Sequence, residues 1–542
     1  MKKKNIFSWL KNDKDENVLN ILGTTDGLKY KMIGYSLIVG ILSGATIVLY
    51  RILGEFLLKR FEVIYRFVSG KPLYVIGVFV LLILMSLFVT YCVKKEPNIS
   101  GSGIPQVEGI ITRRIETDWK KVLIYKFVGG IMCLAAGLSV GREGPSVQMG
   151  AAIGEGISKK ANQMDYEHKY LITSGASAGL AAAFNAPLAG VMFALEEVHK
   201  NFSPIVLMSA MVSAVTADVI TKAFLGINPS LRFAMLNKMP IKYYWSLVIL
   251  GILVGLSSYV FNNGILKTKH LYRDLPIKKE FKIMIPFVCS GIVGMTLPVL
   301  VGGGHSLIMS MKSLHISIFM MLLLFVIKYL FTFISFGSGV PGGIFFPLLA
   351  IGSIIGAIFG MICIRYLGVP AEYLINFAIL AMAGHFAAIV KAPITGIILI
   401  FEMTGSFEQL LPLSVVVFIA LLTSDLLGVN PVYDDLLEDI LSQSHEEYKG
   451  KENKKTLVEL VVHLGSDIEG KYISEVEWPQ NCLVVSIYRG EKEIIPRGNT
   501  RILEGDLLLI MVNQTESSRM LDYFSGMISC TSKKLGKEKV KS

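Results

Sequence analysis

Apolar segments succeed one another along the chain from about residue 32 to residue 430. Several are long enough to cross roughly 30 Å of hydrocarbon as single helices. The clearest of these predicted spans are residues 33–58, 72–93, 205–225, 244–265 and 317–335. The pattern predicts an all-α polytopic membrane protein in a lipid bilayer.

Other apolar segments are short and are interrupted by glycine and proline. The stretch 329–364 contains no charged residue, yet it carries a cluster of glycines and prolines between residues 337 and 347. Because one straight helix cannot hold that cluster, we expect a helix, an unwound loop and a second helix. Unwound backbone at membrane depth is tolerated only where protein buries it or where it lines a cavity. The broken segments are therefore the best candidates for a binding site.

The glycine and proline breaks recur in two halves of the chain. Two sets of three residues are spaced by constant offsets of 202 and 206 residues, and a weaker third pair joins GSGIP at 101–105 to GGGHS at 302–306. The first set is Pro145, Gly150 and Gly154 with Pro347, Gly352 and Gly356, and the second is Pro187, Gly190 and Glu196 with Pro393, Gly396 and Glu402. We therefore expect two repeats, at about 32–230 and 231–440, which in transporters are often inverted.

Composition and charge agree with a membrane protein. Of the 542 residues, 52% are hydrophobic and only 18% are charged, which excludes a disordered chain, a disulfide scaffold and a typical cytosolic enzyme. The net charge of +11 is concentrated at the termini and in connectors, so it indicates membrane topology and no nucleic-acid partner. The six cysteines form no close pair, and no metal site, disulfide or cofactor is predicted.

The pattern also predicts the domain boundaries. Residues 1–31 have a lysine-rich start without a long apolar region, which favours a cytoplasmic leader over a signal peptide. The transmembrane domain is expected over 32–440, followed by a polar linker at 441–454. A small cytosolic α/β domain with short strands and glycine turns is expected over 455–525, followed by a basic tail at 526–542. We expect a multi-pass protein of the cell membrane with both termini in the cytoplasm.

Glu143 is the strongest functional candidate, because it lies in the sequence GREGP inside an apolar region. Pro145 suits the first turn of a helix, and the free N–H groups of a helix start form an anion site. A carboxylate can occupy that site itself and leave it on protonation, which would make a gate sensitive to anion and pH. The alternative is a structural ion pair with Arg142, but acids inside a membrane are usually functional.

Small hydroxyls and free backbone amides are further candidates. Ser102 lies between two glycines, where its hydroxyl can bind a dehydrated anion or simply belong to a turn. Ile344 and Phe345, in GGIFFP, can offer backbone N–H groups at a facing helix start. Taken alone, the Phe345 ring is expected to serve packing.

Two acids and a tyrosine complete the candidates. Glu196 and Glu197 end an apolar run, and since adjacent helical residues point about 100° apart, at most one faces a given pathway. The alternative is a pair of solvated acids at a helix end. Tyr433 follows the last apolar run, where it can donate to an anion at the inner mouth or act as an interfacial tyrosine.

Together these motifs resemble the CLC family of chloride channels and proton-coupled chloride antiporters. The resemblance rests on GSGIP at 101–105, GREGP at 141–145, GGIFFP at 342–347 and the late Tyr433, and extends to the paired NAPLAG and KAPITG segments. It covers roughly residues 30–440. It implies two inverted repeats with partly spanning broken helices, and a homodimer in which each subunit has its own pore.

The resemblance also implies a role for each matching residue. Ser102 and Tyr433 would hold the central chloride together with the backbone N–H groups of Ile344 and Phe345. The gating glutamate at the outer side would be Glu143. Serine in the first motif favours chloride over nitrate.

Glu197 matches the internal proton-transfer glutamate of antiporter members, whereas channel members generally lack an acid there. The expected function is therefore exchange of chloride for protons, with no enzymatic activity. One departure from the family pattern is Gln106, where glutamate is common, and another is NPVY before the final tyrosine, where KPLY is more usual.

Two alternatives remain open at the level of sequence. One is a passive chloride channel of the same fold, gated by voltage or pH. The other, more remote, is an intramembrane serine protease in which Ser177 of GASAG would use His305 or His385 as its base.

The C-terminal module resembles the regulatory domain appended to potassium uptake and potassium channel proteins, the RCK C-terminal or TrkA-C type. The resemblance rests on strand order and on the phrase IPRGNTRILEGDLLLIMV. It implies a sensor for a small regulatory ligand.

Overall fold

The computed structural model describes residues 25–447 and 455–524, with short gaps. The gaps are 162, 164, 201, 228–229, 232–237, 312–316, 464, 480–481, 491, 514–519 and 521–522. The chain divides into two compact units, one ending at Leu437 and the other beginning at Glu438. The predicted leader before residue 25, half of the predicted linker (448–454) and the predicted tail at 526–542 lie outside the described residues.

Helices make up the first unit. In chain order they are α1 (Thr25–Val68), α2 (Pro72–Lys95), α3 (Ile104–Ile111), α4 (Trp119–Ala135), α5 (Glu143–Lys160), α6 (Asp165–Phe184), α7 (Pro187–Phe193), α8 (Pro204–Leu225), α9 (Tyr244–Asp274), α10 (Lys279–Thr296), α11 (His305–Ser310), α12 (Ile318–Gly337), α13 (Phe345–Tyr366), α14 (Leu374–Val390), α15 (Pro393–Thr404), α16 (Leu410–Leu426) and α17 (Val432–Glu447). One π-helical turn, Ala194–His199, extends α7.

Seven helices in the described part of the chain are long and apolar enough to cross a membrane. They are Tyr30–Val68, Pro72–Lys95, Pro204–Leu225, Ile241–Asp274, Ile318–Gly337, Phe345–Tyr366 and Ala371–Val390. Four of the five spans predicted from the apolar pattern lie within one of them, and the fifth, 317–335, begins one residue before Ile318–Gly337. The prediction of a helical, multi-pass membrane protein is therefore confirmed.

The charge-free stretch 329–364 is broken, as its glycines and prolines predict. Helix α12 ends at Gly337 and α13 begins at Phe345, and the backbone between them is unwound. Gly339 has a φ of +79°, a left-handed conformation that glycine adopts without steric cost. The segment is therefore two helices joined by a loop inside the fold.

Three unwound loops pair with one another through their backbones. The amide of Gly101 donates to the carbonyl of Val340 at 3.1 Å, and the amide of Gly342 donates to the carbonyl of Gly101 at 3.0 Å. Gly141 and Gly343 exchange two hydrogen bonds, of 2.6 and 2.8 Å. Because each loop supplies the other's polar partners, unwound backbone can lie at membrane depth without water.

Two buried lysines, 202 residues apart, fix loops at equivalent places in the two halves. Both ammonium groups donate to backbone carbonyls of the segment that precedes a short helix, α3 or α11. The bonds run from Lys126 Nζ to the oxygens of Ile99 and Gly101, both at 2.8 Å, and from Lys328 Nζ to those of Leu300 at 3.0 Å and Gly302 at 2.7 Å. The repeat seen in the sequence is thus a repeat of local structure.

Two glutamates, 206 residues apart, each cap the start of a helix in the opposite half of the first unit. The carboxylate of each accepts hydrogen bonds from the first amides of a helix in the opposite half. Glu196 accepts from Ile394 N at 3.3 Å and Thr395 N at 2.8 Å, and Glu402 accepts from Leu188 N at 3.1 Å and Ala189 N at 2.8 Å. Equivalent residues that exchange the same contact imply a pseudo-twofold relation between the halves. The interpretation of Glu196 as a solvated acid is therefore wrong.

Replacing Glu402 with glutamine is expected to destabilise the membrane unit by about 1 kcal/mol, since an anionic cap on α7 is lost. The measurement is the midpoint of thermal unfolding in detergent. Glu196→Gln should give a similar loss, because it removes the equivalent cap on α15. Exposed Glu408, six residues further along, provides the matched control. An equal midpoint for Glu402→Gln and Glu408→Gln would refute the capping role.

The second unit contains a four-stranded antiparallel sheet of order β1-β4-β2-β3. The strands are β1 (Lys455–Val461), β2 (Leu483–Arg489), β3 (Lys492–Ile494) and β4 (Leu507–Asn513), and a short 3₁₀ turn spans Ile473–Glu475. Buried Asp506 accepts two hydrogen bonds from Arg489, both at 2.8 Å. The short strands predicted for this domain are therefore present.

Candidate anion site

Glu143 is the first residue of α5 and is only 1% exposed. Neither of its carboxylate oxygens accepts a hydrogen bond from the described residues. A Cβ on Gly141 would collide with the Glu143 carboxylate and would lie 3.1 Å from the backbone nitrogen of Phe346. Only glycine at 141 therefore lets this carboxylate approach the start of α13.

The starts of α5 and α13 meet at the paired loops. Ile344 caps α13 and Phe345 is its first residue, and both are fully buried. The first N–H groups of a helix have no intrahelical acceptor, and they carry the positive end of the helix dipole. The sequence prediction of amide donors at a facing helix start agrees with this arrangement.

The Phe345 ring packs against other aromatic rings, as the sequence predicts for this side chain. Its centroid lies 4.6 Å from that of Phe386, 5.2 Å from that of Phe184 and 5.9 Å from that of Phe193. This aromatic cluster anchors the first turn of α13, so the backbone amides there are held in a fixed position. Packing and amide presentation are therefore compatible roles of one residue.

Ser102 and Tyr433 place two hydroxyls beside these helix starts. A Cβ on Gly144 would lie 2.7 Å from the carbonyl oxygen of Ser102, which places Ser102 against the first turn of α5. Both residues are buried, and neither hydroxyl has a hydrogen-bond partner in the described part of the chain. The two hydroxyls are nevertheless close enough to interact. Buried hydroxyls without partners are rare in folded proteins, and an anion between them would satisfy both.

Glu197 is a second buried acid near Tyr433. The Tyr433 phenol is within electrostatic range of both Glu143 and Glu197. Glu197 is 4% exposed and belongs to the π-helical turn Ala194–His199, a rare conformation that is frequent at functional sites. Its Oε1 atom has no hydrogen-bond partner among the described residues. The structure therefore brings together all six residues predicted from the sequence.

A charged cluster around Glu197 was not predicted from the sequence. Lys200 donates to Glu108 at 2.6 Å and also to Asp434. Glu197 interacts with all three of these side chains. The signals available in the sequence were the proximity of Lys200 to Glu197 and of Asp434 to Tyr433, but the pairing depends on contacts more than 90 residues apart.

An open cavity of about 300 Å³ leads to Glu143 from one side. Its charged or titratable lining residues are Tyr50, Arg51, Glu55, Lys59, Glu62, Arg142, Glu143 and His305. Arg142 Nη1 donates to Glu55, whereas Arg142 Nε lies 3.8 Å from Glu143 Oε1. The direct partner of Arg142 is therefore Glu55, and Glu143 is not locked in a hydrogen-bonded ion pair with its neighbour.

The serine–histidine dyad considered for Ser177 is not formed, and that alternative is wrong. The Ser177 hydroxyl donates to the carbonyl of Ala210 at 3.3 Å. His385 contacts the carbonyl of Leu348 at 2.9 Å and the hydroxyl of Ser257 at 3.1 Å, so both of its ring nitrogens are engaged elsewhere. His305 begins α11 and lines the open cavity, with its ring centroid 5.9 Å from that of Phe346. The glycines around the serine serve helix packing, because a Cβ on Gly179 would collide with the backbone of α5.

Comparison with known protein families agrees with these features. Residues 85–425 match the model of the voltage gated chloride channel family. Residues 457–525 match the model of the TrkA-C domain. The two resemblances inferred from the sequence motifs are therefore confirmed.

Individual relatives give the same result. The chain is 35% identical over 384 residues to the H(+)/Cl(-) exchange transporter ClcA of Klebsiella pneumoniae subsp. pneumoniae, which covers 69% of this chain and 81% of that protein. A crystal structure of a slow cyanobacterial Cl-/H+ antiporter is similar at a TM-score of 0.72 and 30% identity, over 76% of this chain and 98% of that one. A CLC-type fluoride/proton antiporter is similar at a TM-score of 0.61 and 25% identity, over 73% of this chain and 95% of that one. From its family match and its relatives, this chain belongs to the voltage-gated chloride channel (CLC) family.

Proposed function

We propose that the protein is a secondary active transporter that exchanges chloride for protons across the membrane. The observation that carries the proposal is a set of buried polar groups whose oxygen atoms have no hydrogen-bond partner among the described residues. Glu143 and Glu197 lie in electrostatic range of the same phenol, that of Tyr433, which in turn faces Ser102. The names of the relatives, an H(+)/Cl(-) exchange transporter and a Cl-/H+ antiporter, support the same function.

The central chloride is held by neutral donors. These are the hydroxyls of Ser102 and Tyr433 and the backbone N–H groups of Ile344 and Phe345, which begin α13. Neutral hydrogen bonds at a helix start offset part of the dehydration of an anion. Because no full positive charge is needed for them to bind, the anion can also leave, which transport requires.

Glu143 acts as the outer gate. When it is ionised, its carboxylate competes with chloride for the positive end of α13, beside the Phe346 amide. When a proton arrives through the outer cavity, the neutral carboxyl loses that attraction and releases the site to an anion. The proton then moves toward Glu197 and leaves on the inner side, so that proton and chloride travel in opposite directions.

The remaining assignments are part of the same proposal. The transmembrane domain is assigned to about 32–440, and a regulatory domain that binds a small ligand is assigned to 455–525. Two copies form a homodimer, each with its own pore. The protein resides in the cell membrane with both termini in the cytoplasm, and it needs no cofactor.

Proton-coupled chloride flux in proteoliposomes tests the proposal. Vesicles loaded with chloride are diluted into low-chloride buffer, and the external pH is recorded while chloride leaves. Exchange predicts proton uptake into the vesicles, although the positive interior left by chloride loss would expel a passively leaking proton. Parallel measurements with nitrate and fluoride define selectivity, and Ser102 favours chloride.

Chloride efflux without uphill proton uptake would identify a passive channel and overturn the exchange proposal. Protein-free vesicles give the background proton leak. A reversal potential that depends on chloride alone, and not on pH, would lead to the same conclusion.

A further inference from the structure

Arg142 faces two carboxylates, and the outer cavity contains both. Its Nη1 donates to Glu55 on α1, whereas its Nε lies 3.8 Å from Glu143 Oε1. The Glu55 side chain is 47% exposed, the Arg142 side chain is 16% exposed and Glu143 is buried. One guanidinium is thus divided between an acid of the cavity wall and the proposed gate.

We propose that Glu55 is a positioning residue that holds the Arg142 guanidinium away from Glu143 and so sets the pH at which the gate opens. This inference rests on the proposed function, because it concerns the regulation of the same gate. Its basis is geometric: Glu55 takes the direct hydrogen bond of Arg142, and the Glu143 oxygens receive none from the described residues.

Loss of the Glu55 charge favours the ionised form of Glu143 for two reasons. A guanidinium released from Glu55 can turn its donors toward Glu143, and an opposite charge at short range favours the ionised carboxylate. Removal of the negative charge of Glu55 itself also favours ionisation of a neighbouring acid. Both effects stabilise the closed, ionised gate, so a more acidic solution is needed to open it.

Other charged or titratable groups also lie near the gate, and Arg51 among them is held by hydrogen bonds. Arg51 donates to the carbonyl of Ala182 at 2.6 Å and to Asn185 Oδ1 at 2.7 Å, which fixes it to the end of α6. Lys59, Glu62 and His305 line the same cavity, and the phenols of Tyr50 and Tyr433 lie within electrostatic range of Glu143. Arg142 is the cation of this group with a contact to both carboxylates.

The test compares chloride efflux from proteoliposomes as a function of pH, set equal on both sides, for wild type and Glu55→Gln. The midpoint of acid activation is expected to shift to lower pH by about one unit in the variant, the effect of an opposite charge brought within hydrogen-bonding distance. Glu62→Gln is the matched control, since it neutralises another acid of the same cavity on the same helix. It should produce a clearly smaller shift.

The same change made in Glu143→Gln protein distinguishes failure of this inference from failure of the proposed function. In Glu143→Gln protein, adding Glu55→Gln should change nothing in the pH profile, which also excludes an effect that acts through His305. If Glu143→Gln protein keeps the acid activation of wild type, the assignment of Glu143 as the gate fails. If that activation is lost but Glu55→Gln alone gives no shift, an alkaline shift or the same shift as Glu62→Gln, only the role of Glu55 is overturned.

A conservative variant provides a second test in case the Glu55→Gln protein does not fold. Glu55→Asp keeps the charge but shortens its reach, so it should give an acid shift smaller than that of Glu55→Gln. A shift equal in Glu55→Asp and Glu55→Gln would mean that the direct contact with Arg142 does not matter, and would overturn the proposal.

Discussion

Replacing Glu143 with glutamine is expected to leave chloride movement intact and to lower proton movement by roughly a hundredfold, the contribution typical of a positioned proton-transfer group. The glutamine side chain is neutral at every pH, so it resembles the protonated gate. It no longer competes as an anion for the amides that begin α13, and it cannot carry a proton inward. Chloride flux should therefore lose its acid activation and remain high at neutral pH.

The measurement is simultaneous recording of chloride efflux and external pH in proteoliposomes. Glu155→Gln provides a matched control, because Glu155 is another buried acid of α5 but is bonded to Lys159 at 2.5 Å and to Thr117 at 3.2 Å. That control should keep proton coupling. Uphill proton uptake that persists in Glu143→Gln protein would exclude Glu143 as an obligatory proton carrier.

The order of helices and breaks could be predicted from the sequence because those features are local. A span of apolar residues predicts a membrane helix by length alone, and the glycines and prolines of 337–347 cannot continue α12. The constant offsets of 202 and 206 residues also depend only on spacing. These are the features that the structure confirms most directly.

The partners of buried charges could not be predicted in the same way. Glu196 caps α15 at a separation of 199 residues from Thr395, and Arg142 binds Glu55 across 87 residues. No periodicity along the chain carries such pairings, because they depend on how the two halves pack. Lys126 and Lys328 are also separated by 202 residues, but a lysine that binds backbone carbonyls has no charged partner in the sequence to indicate its role.

A local motif is a poor guide to the role of a serine where tertiary packing determines that role. Ser177 among small residues is compatible with a nucleophile in sequence, yet the small residues let α6 approach α5 closely. Ser102 lies in a similar glycine-rich setting, but its hydroxyl has no partner among the described residues while that of Ser177 bonds Ala210. Only the hydrogen bonds of the folded structure therefore distinguish a serine that serves helix packing from a serine that could bind an anion.

Replacing Glu197 with glutamine is expected to stop proton movement while chloride still passes. Glu197 is itself buried and lies near Tyr433, beside a partly exposed cluster in which Lys200 joins Glu108 to Asp434. A glutamine keeps the size and hydrogen-bonding capacity of the side chain, but it cannot accept and release a proton. Proton flux should fall by roughly a hundredfold, as for loss of a positioned acid–base group, and chloride flux should change little.

The neighbouring acid makes this prediction specific. Glu196→Gln alters an adjacent glutamate of the same π-helical turn, but Glu196 faces away to cap α15 through Thr395. It should lower thermal stability and leave the ratio of protons to chloride unchanged. The two variants thus separate a structural carboxylate from a proton-transfer carboxylate one residue apart. If proton coupling survives in Glu197→Gln protein, or is lost equally in Glu196→Gln protein of intact stability, Glu197 is not the inner proton relay.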